Sequence, residues 1–215
     1  MAAVTRTISD LTPADATSWT EIQQSIASAP YPIDVLTADP ERADRVLLGL
    51  EVTTRSWLGA VAYHTGGILI DHGWLRAFGA GNTDRGLPDI LQVNGPSPRG
   101  CIVGEDILGG RFLWIPKDDG ERPTVHYYGG DTMEWTDLEI GYAEWLGAML
   151  GGAITEFYEH MRWPGWEREV TALRGDQGIS TVPFLGTKEG SDLSKVSRRP
   201  APMTELTQFY GSARS

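Results

Sequence analysis

Apolar residues recur at helical spacing at both ends of the chain, while its centre carries short apolar runs separated by glycine, proline and aspartate. Trp19, Ile22, Gln23 and Ile26 mark an N-terminal helix, stopped by Pro30 and Pro32. Asp39-Pro40 predicts a second start, with aspartate as cap and proline at the first helical position. Ala43, Val46, Leu47 and Leu50 fill its apolar face. Ser56 predicts the cap of a third helix, carried by Leu58, Val61 and Ala62 with Trp57 beside them. Gly66 is expected to close that helix in the left-handed conformation. Beyond Gly67, Ile68 and Ile70 alternate with Leu69 and Asp71, as in a strand. Gly73 turns the chain into a second strand over Trp74 to Phe78.

Residues 80 to 100 are rich in Gly, Pro, Asn and Asp and predict a long surface loop, in which Leu87 to Val93 has room for one helical turn. Cys101 to Val103 opens the next strand region. Arg111 to Ile115 and Thr124 to Tyr128 predict a hairpin joined through Lys117-Asp118-Asp119-Gly120, with Trp114 facing Tyr127 or Tyr128. Thr132 to Leu138 is a further extended piece. Tyr142, Trp145, Leu146, Met149 and Leu150 then form the clearest helical stripe, ended by Gly151-Gly152. Ile154, Phe157, Tyr158 and Met161 repeat the spacing up to Pro164, and Trp166, Val170 and Leu173 continue it beyond. Ile179 to Leu185 predicts a last strand, Lys188 to Pro202 a polar and loosely held stretch, and Met203 to Tyr210 a short final helix. Helices, then sequential strands, then helices imply an α+β fold: a central, mainly antiparallel sheet with N-terminal and C-terminal helices. One domain is expected over residues 1–186, followed by a polar extension over 187–215.

With 215 residues, 40% of them hydrophobic, the chain can bury a substantial core. Its formal charge of −11 argues against nucleic acid as a partner, since phosphate binding relies on cationic neutralisation. An acidic protein suits water or a basic partner. The acid is concentrated: residues 131–176 hold ten acidic and three basic side chains. The single cysteine, Cys101, excludes an internal disulfide and fits a reducing cytoplasm. No signal-type segment opens the sequence and no apolar run is long enough to span a bilayer, so no membrane contact is expected.

Two clusters carry candidate chemistry. Asp131, Glu134, Asp137, Glu139 and Glu144 surround Trp135 at the strand-to-helix junction. That set would meet a basic protein with the indole as anchor, or would simply be a solvated helix N-terminus favoured by the dipole. Arg55, His64, Asp71, His72 and Arg76 would line a cleft beside the Gly-Gly turn. If His64 met Asp71 and His72, two imidazoles and a carboxylate would suit a metal or an oriented general base. Adjacent Asp71 and His72 would point to opposite faces of a strand, so polar-turn and helix-end roles are preferred. Cys101, among Ile102 and Val103, reads as a strand thiol. His126 and His160 show no evident partner in the sequence. No nucleophile elbow, phosphate loop or zinc-protease motif is present. No catalytic residue, cofactor or metal is assigned.

The runs VTTRS at 52–56, YHTGGILIDHGWLR at 63–76, GDTMEWTDLEIGY at 130–142 and RWPGWE at 162–167 resemble a bacterial family of unknown function, domain-of-unknown-function family 2625. GDQGIS at 175–180, PFL at 183–185 and SRRPAP at 197–202 extend the resemblance, which covers roughly residues 20 to 205. More distantly the chain is similar to the SUKH superfamily. Ser56 to Gly67 would be that superfamily's helix and Gly-rich turn, and Trp135 to Leu150 its closing strand-to-helix step. This likeness implies a non-catalytic immunity or scaffold protein that binds another protein.

Overall fold

The computed structural model describes residues 6–95, 100–117 and 121–212, with the backbone alone for 209–212. Four helices, three of them with side-chain caps, and one strand form the N-terminal part. Helix α1 (Ile8–Leu11) precedes α2 (Ser18–Ala27); strand β1 (Ile33–Thr37) follows, then α3 (Pro40–Leu50) and α4 (Trp57–His64). The Asp39 carboxylate accepts from the Arg42 amide at the start of α3, and Ser56 Oγ accepts from the Gly59 amide at the start of α4. Both caps stand where the sequence predicts them.

The centre is an antiparallel sheet of seven strands whose spatial order is the chain order, β1 to β7. It comprises β1, β2 (Thr65–Ile70), β3 (Leu75–Phe78), β4 (Cys101–Asp106), β5 (Arg111–Ile115), β6 (Thr124–Tyr128) and β7 (Trp135–Asp137). A short helix, α5 (Ile90–Asn94), sits between β3 and β4 and overlaps the stretch from Leu87 to Val93 expected to hold one helical turn. Residues 118–120 of the charged β5–β6 connection lie outside the described residues.

Directly opposed residues share a face of the sheet. One row runs Val35, Ile68, Ala77, Gly104, Phe112, Tyr127 and Thr136. It packs under α6 (Tyr142–Leu150), whose Trp145 lies 5.0 Å from Phe112, ring to ring. The next row, on the opposite face, runs Asp34, Leu69, Arg76, Glu105, Arg111, Tyr128 and Trp135. The C-terminal segment packs on this second face: α8 (Trp166–Thr171), a two-stranded ribbon of β8 (Gln177–Val182) and β9 (Ser197–Pro202), and α9 (Met203–Ser212). Tyr128 there packs with Ala201, Met203 and Leu206. Between α6 and α8 lie α7 (Ala153–Phe157) and a 3-10 turn over Glu159–Met161. The fold is α+β, as the element order implies.

Four local expectations are corrected. Gly66 does not end α4: the helix passes straight into β2, and Gly66 and Gly67 are strand residues. A Cβ on Gly66 would stand 2.7 Å from the Gly81 carbonyl and 2.8 Å from that of Thr37, so glycine here permits close backbone approach. Strand β1, unforeseen in the sequence, occupies the edge beside β2. In the β5–β6 hairpin Trp114 faces Val125, while Phe112 faces Tyr127 and Arg111 faces Tyr128. Finally, residues 188–202 are built into the body: Leu193 and Val196 are buried in the main core, and β9 pairs along its whole length with β8.

Candidate functional site

The β2–β3 turn is built from consecutive left-handed residues, Asp71 at φ 53°, His72 at 60° and Gly73 at 88°. Non-glycine residues rarely hold that conformation, and it persists where surrounding contacts enforce it. Here they do. The Asp71 amide donates to the Pro32 carbonyl, the Trp74 amide donates to the Asp71 carbonyl, and the buried Asp71 carboxylate is ion-paired with Arg162. Burial pushes the Asp71 carboxyl above the usual range even against Arg162. The Arg162 guanidinium lies 4.5 Å from the Trp166 ring centroid and 5.5 Å from that of Trp74. His72 meets Trp166 edge-on at 5.6 Å.

The turn therefore presents His72, half-buried, beside a cleft between the second sheet face and the α8 segment. An outer bowl of about 200 Å³ is lined by Asp34, Leu69, His72, Gly73, Arg85 and Thr171. A recess of about 10 Å³ adjoins it, walled by Leu69, Arg76, Arg85, Leu173 and Arg174 among others. Arg76 is 2% exposed and donates to the Gly175 carbonyl at 3.1 Å. Exposed Arg85 pairs with Asp34 at 2.6 Å, and Arg174 with Asp176 at 3.3 Å.

The five residues proposed from sequence as one cleft are not one site. Asp71, His72 and Arg76 stay together around the β2–β3 turn. His64 sits at the opposite end of β2, roughly 20 Å away by strand length. It stacks on Trp19 at 5.3 Å and borders a shallow groove with Tyr63, Leu36 and Pro40. Arg55 lies on the surface, paired with Asp15 at 2.7 Å. A strand of six residues separates the two histidines, so no shared metal or acid–base pair can form between them. Among the described residues no group of three His, Cys, Asp or Glu is placed to hold a metal ion. Arg85 and Arg174 had no motif to announce them, since the loop and the α8 segment meet only in three dimensions.

Cys101 is a half-buried strand thiol whose pKa burial pushes up to about 12, which leaves it a poor nucleophile at neutral pH. His126 does have a neighbour, Asp137, at 3.6 Å on the facing strand. His160 is exposed.

Glu105 lies between Arg76 and Arg111 in the second row of the sheet. Burial, partly offset by the two arginines, raises its pKa from 4.5 to about 7. In that window the folded protein holds a proton that the unfolded chain has released. Stability contributed here must therefore fall as pH rises from 4.5 to about 7, then level off. Urea-denaturation midpoints measured across this range should show that decline, and Glu105→Gln should lessen it. An unchanged pH profile in the variant would mean the carboxyl titrates normally.

At the far end of the same row lies the acidic set. Strand β7 is the last of the sheet, and Trp135, 40% exposed, rests against Tyr128 at 5.2 Å. Glu134 and Glu139 are exposed on either side, and Asp131 is half-buried. Two of the predicted acids are already engaged. Asp137 lies 3.4 Å from Lys117, and Glu144 accepts from the Gly141 amide and stands 3.7 Å from Arg122.

The family model described as "Protein of unknown function DUF2625" matches residues 8–206. An uncharacterised protein of Haemophilus influenzae is 32% identical over 188 residues, covering 84% of this chain and 82% of its own. The putative uncharacterised protein YbfG of Escherichia coli is 32% identical over 208 residues, covering 95% of each. No solved structure matches the chain. No helix among the described residues is long and apolar enough to cross a membrane.

Proposed function

The chain belongs to the DUF2625 family of proteins of unknown function, and we propose that it acts by binding a basic cytoplasmic protein rather than by catalysis. The role is of the immunity or scaffold type that the SUKH likeness implies: the partner is captured on the β7 edge and sterically blocked or held. One observation carries this proposal. Trp135 is a large aromatic left 40% exposed on the outermost strand, and exposed carboxylates flank it. Tryptophan is enriched among binding hot spots, and carboxylates at the rim of such a contact add charge complementarity to a basic partner. An edge strand also offers unpaired backbone groups to an added strand. The charge of the whole chain, −11, adds steering toward a cationic partner. The rival, a small-molecule or metal-binding enzyme joining His64 to Asp71 and His72, has no common site to work from.

Capture of tagged protein from its native lysate, at low and at high salt, tests the proposal when paired with a surface variant. A basic protein is expected to be retained at low salt and released at high salt. Glu134→Lys with Glu139→Lys should weaken its affinity roughly tenfold or more, and Trp135→Ala by about as much. Asp137 is left intact, because Lys117 and His126 depend on it. Undiminished binding by both variants would remove β7 as the contact surface.

A further inference from the structure

We propose that the cleft beneath the β2–β3 turn is a binding site for the oxyanion group, carboxylate or phosphoryl, of a small molecule. The argument begins with Arg76. A guanidinium carries five N–H donors, and this one is 2% exposed, yet its one hydrogen bond among the described residues goes to the Gly175 carbonyl. Glu105, Asp106 and Asp176 act on it through space without an ion pair, and the recess beside it is walled by apolar Leu69, Val170 and Leu173 together with His72, Arg85 and Arg174. Its remaining nitrogens are not among the enclosed unpartnered atoms, so they reach open space, where something polar would meet them. The adjoining space has room for that something. At about 10 Å³ the recess admits one oxygen-sized group.

The bowl outside supplies the rest of the site. Arg85 spends one nitrogen on Asp34 and Arg174 one on Asp176, so each keeps further donors free to turn toward the cleft. His72 stands on the rim, held there by the locked left-handed turn. Three arginines and a histidine line the cleft against one lining carboxylate, Asp34, while Glu105, Asp106 and Asp176 act on Arg76 from outside the lining. A planar or tetrahedral oxyanion would place one oxygen in the recess against Arg76 and the others toward Arg85 and Arg174, the fork geometry that suits arginine. A bowl of about 200 Å³ is below the usual drug-sized range, which limits the ligand to a small acid or a single phosphorylated fragment.

The test uses the full-length protein and two probes, inorganic phosphate and acetate, titrated at constant ionic strength against chloride. Nuclear magnetic resonance follows the His72 ring and the Arg85 side chain. At least one probe is expected to shift these signals saturably, with one site per chain. Arg85→Gln, a surface change that leaves the fold intact, should weaken the response about tenfold or more. Arg76→Lys, which keeps the charge and loses the fork, should weaken it as well. Saturation by phosphate alone assigns a phosphoryl ligand, and saturation by acetate alone or by both assigns a carboxylate-compatible one. No saturable shift with either, or equal binding by Arg85→Gln, overturns the proposal and leaves the recess to water. Glu134→Lys with Glu139→Lys should bind the probes normally, so failure at this cleft is separable from failure at the β7 edge.

Discussion

Asp106→Ala is expected to lower the stability of the fold by about 4 kcal/mol, read as a fall in the urea midpoint. Asp106 is fully buried at the end of β4 and serves four donors. Its Oδ1 accepts from the amides of Leu108 and Gly110, at 2.8 and 2.9 Å, which closes the β4–β5 turn. Its Oδ2 accepts from the hydroxyls of Tyr127 and Tyr158, at 2.8 and 3.0 Å, which ties the sheet to the end of α7. Alanine would orphan all four in a fully buried site. Burial raises the carboxyl pKa and the four donors oppose that rise. Asp106→Asn should therefore be far milder, because Oδ1 keeps both amides and the tyrosine hydroxyls can turn to accept from the new NH2. The space is fully committed. A Cβ at position 110 would stand 2.1 Å from Asp106 Oδ2 and 2.5 Å from the Tyr127 hydroxyl oxygen, so only glycine fits there. If alanine and asparagine proved equally mild, the network would contribute little.

Trp74→Ala is the second large effect, again about 4 kcal/mol. Trp74 is fully buried, with its ring 5.1 Å from Trp166, 5.5 Å from Tyr158 and 5.7 Å from Trp163. Truncation would open a cavity where β3, α7 and α8 meet, and would remove one wall of the Arg162 sandwich that holds Asp71. Trp74→Phe should cost less than about 1.5 kcal/mol. The indole nitrogen has no hydrogen-bond partner among the described residues, so phenylalanine deletes a buried donor that nothing satisfies. A phenylalanine variant as unstable as the alanine one would show that the indole nitrogen is bonded after all.

The elements legible in the sequence are those whose local signals agree with their packing. Asp39-Pro40 begins a helix because the cap and the proline act within one turn. The Tyr142–Leu150 stripe is buried as its spacing implies. The β5–β6 hairpin has the predicted strand limits, although its register put Val125 rather than tyrosine opposite Trp114. What escaped was set by distant contacts. Glycine signals both a turn and a close approach, and at Gly66 only the neighbouring Thr37 and Gly81 backbones decide between them. Strand β9 reads Ser-Arg-Arg-Pro-Ala-Pro, which looks like loop; it is tolerated as a strand because a two-stranded ribbon is all edge. In the cleft, His72 and Arg76 stood out in the sequence, but Arg85 and Arg174 reach it from segments that sequence spacing could not relate.

The coincidence of spatial order with chain order in the seven-stranded sheet bears on how the protein is made. Every sheet partner is the preceding or the following strand, so no strand must wait for a distant one before it can pair. Such a topology keeps loop-closure entropy low and favours rapid folding. The order also permits each new strand to find its partner's edge as it leaves the ribosome, from β1 towards β7. Two edges stay open when the sheet is complete, β1, the first strand made, and β7, the last to be added.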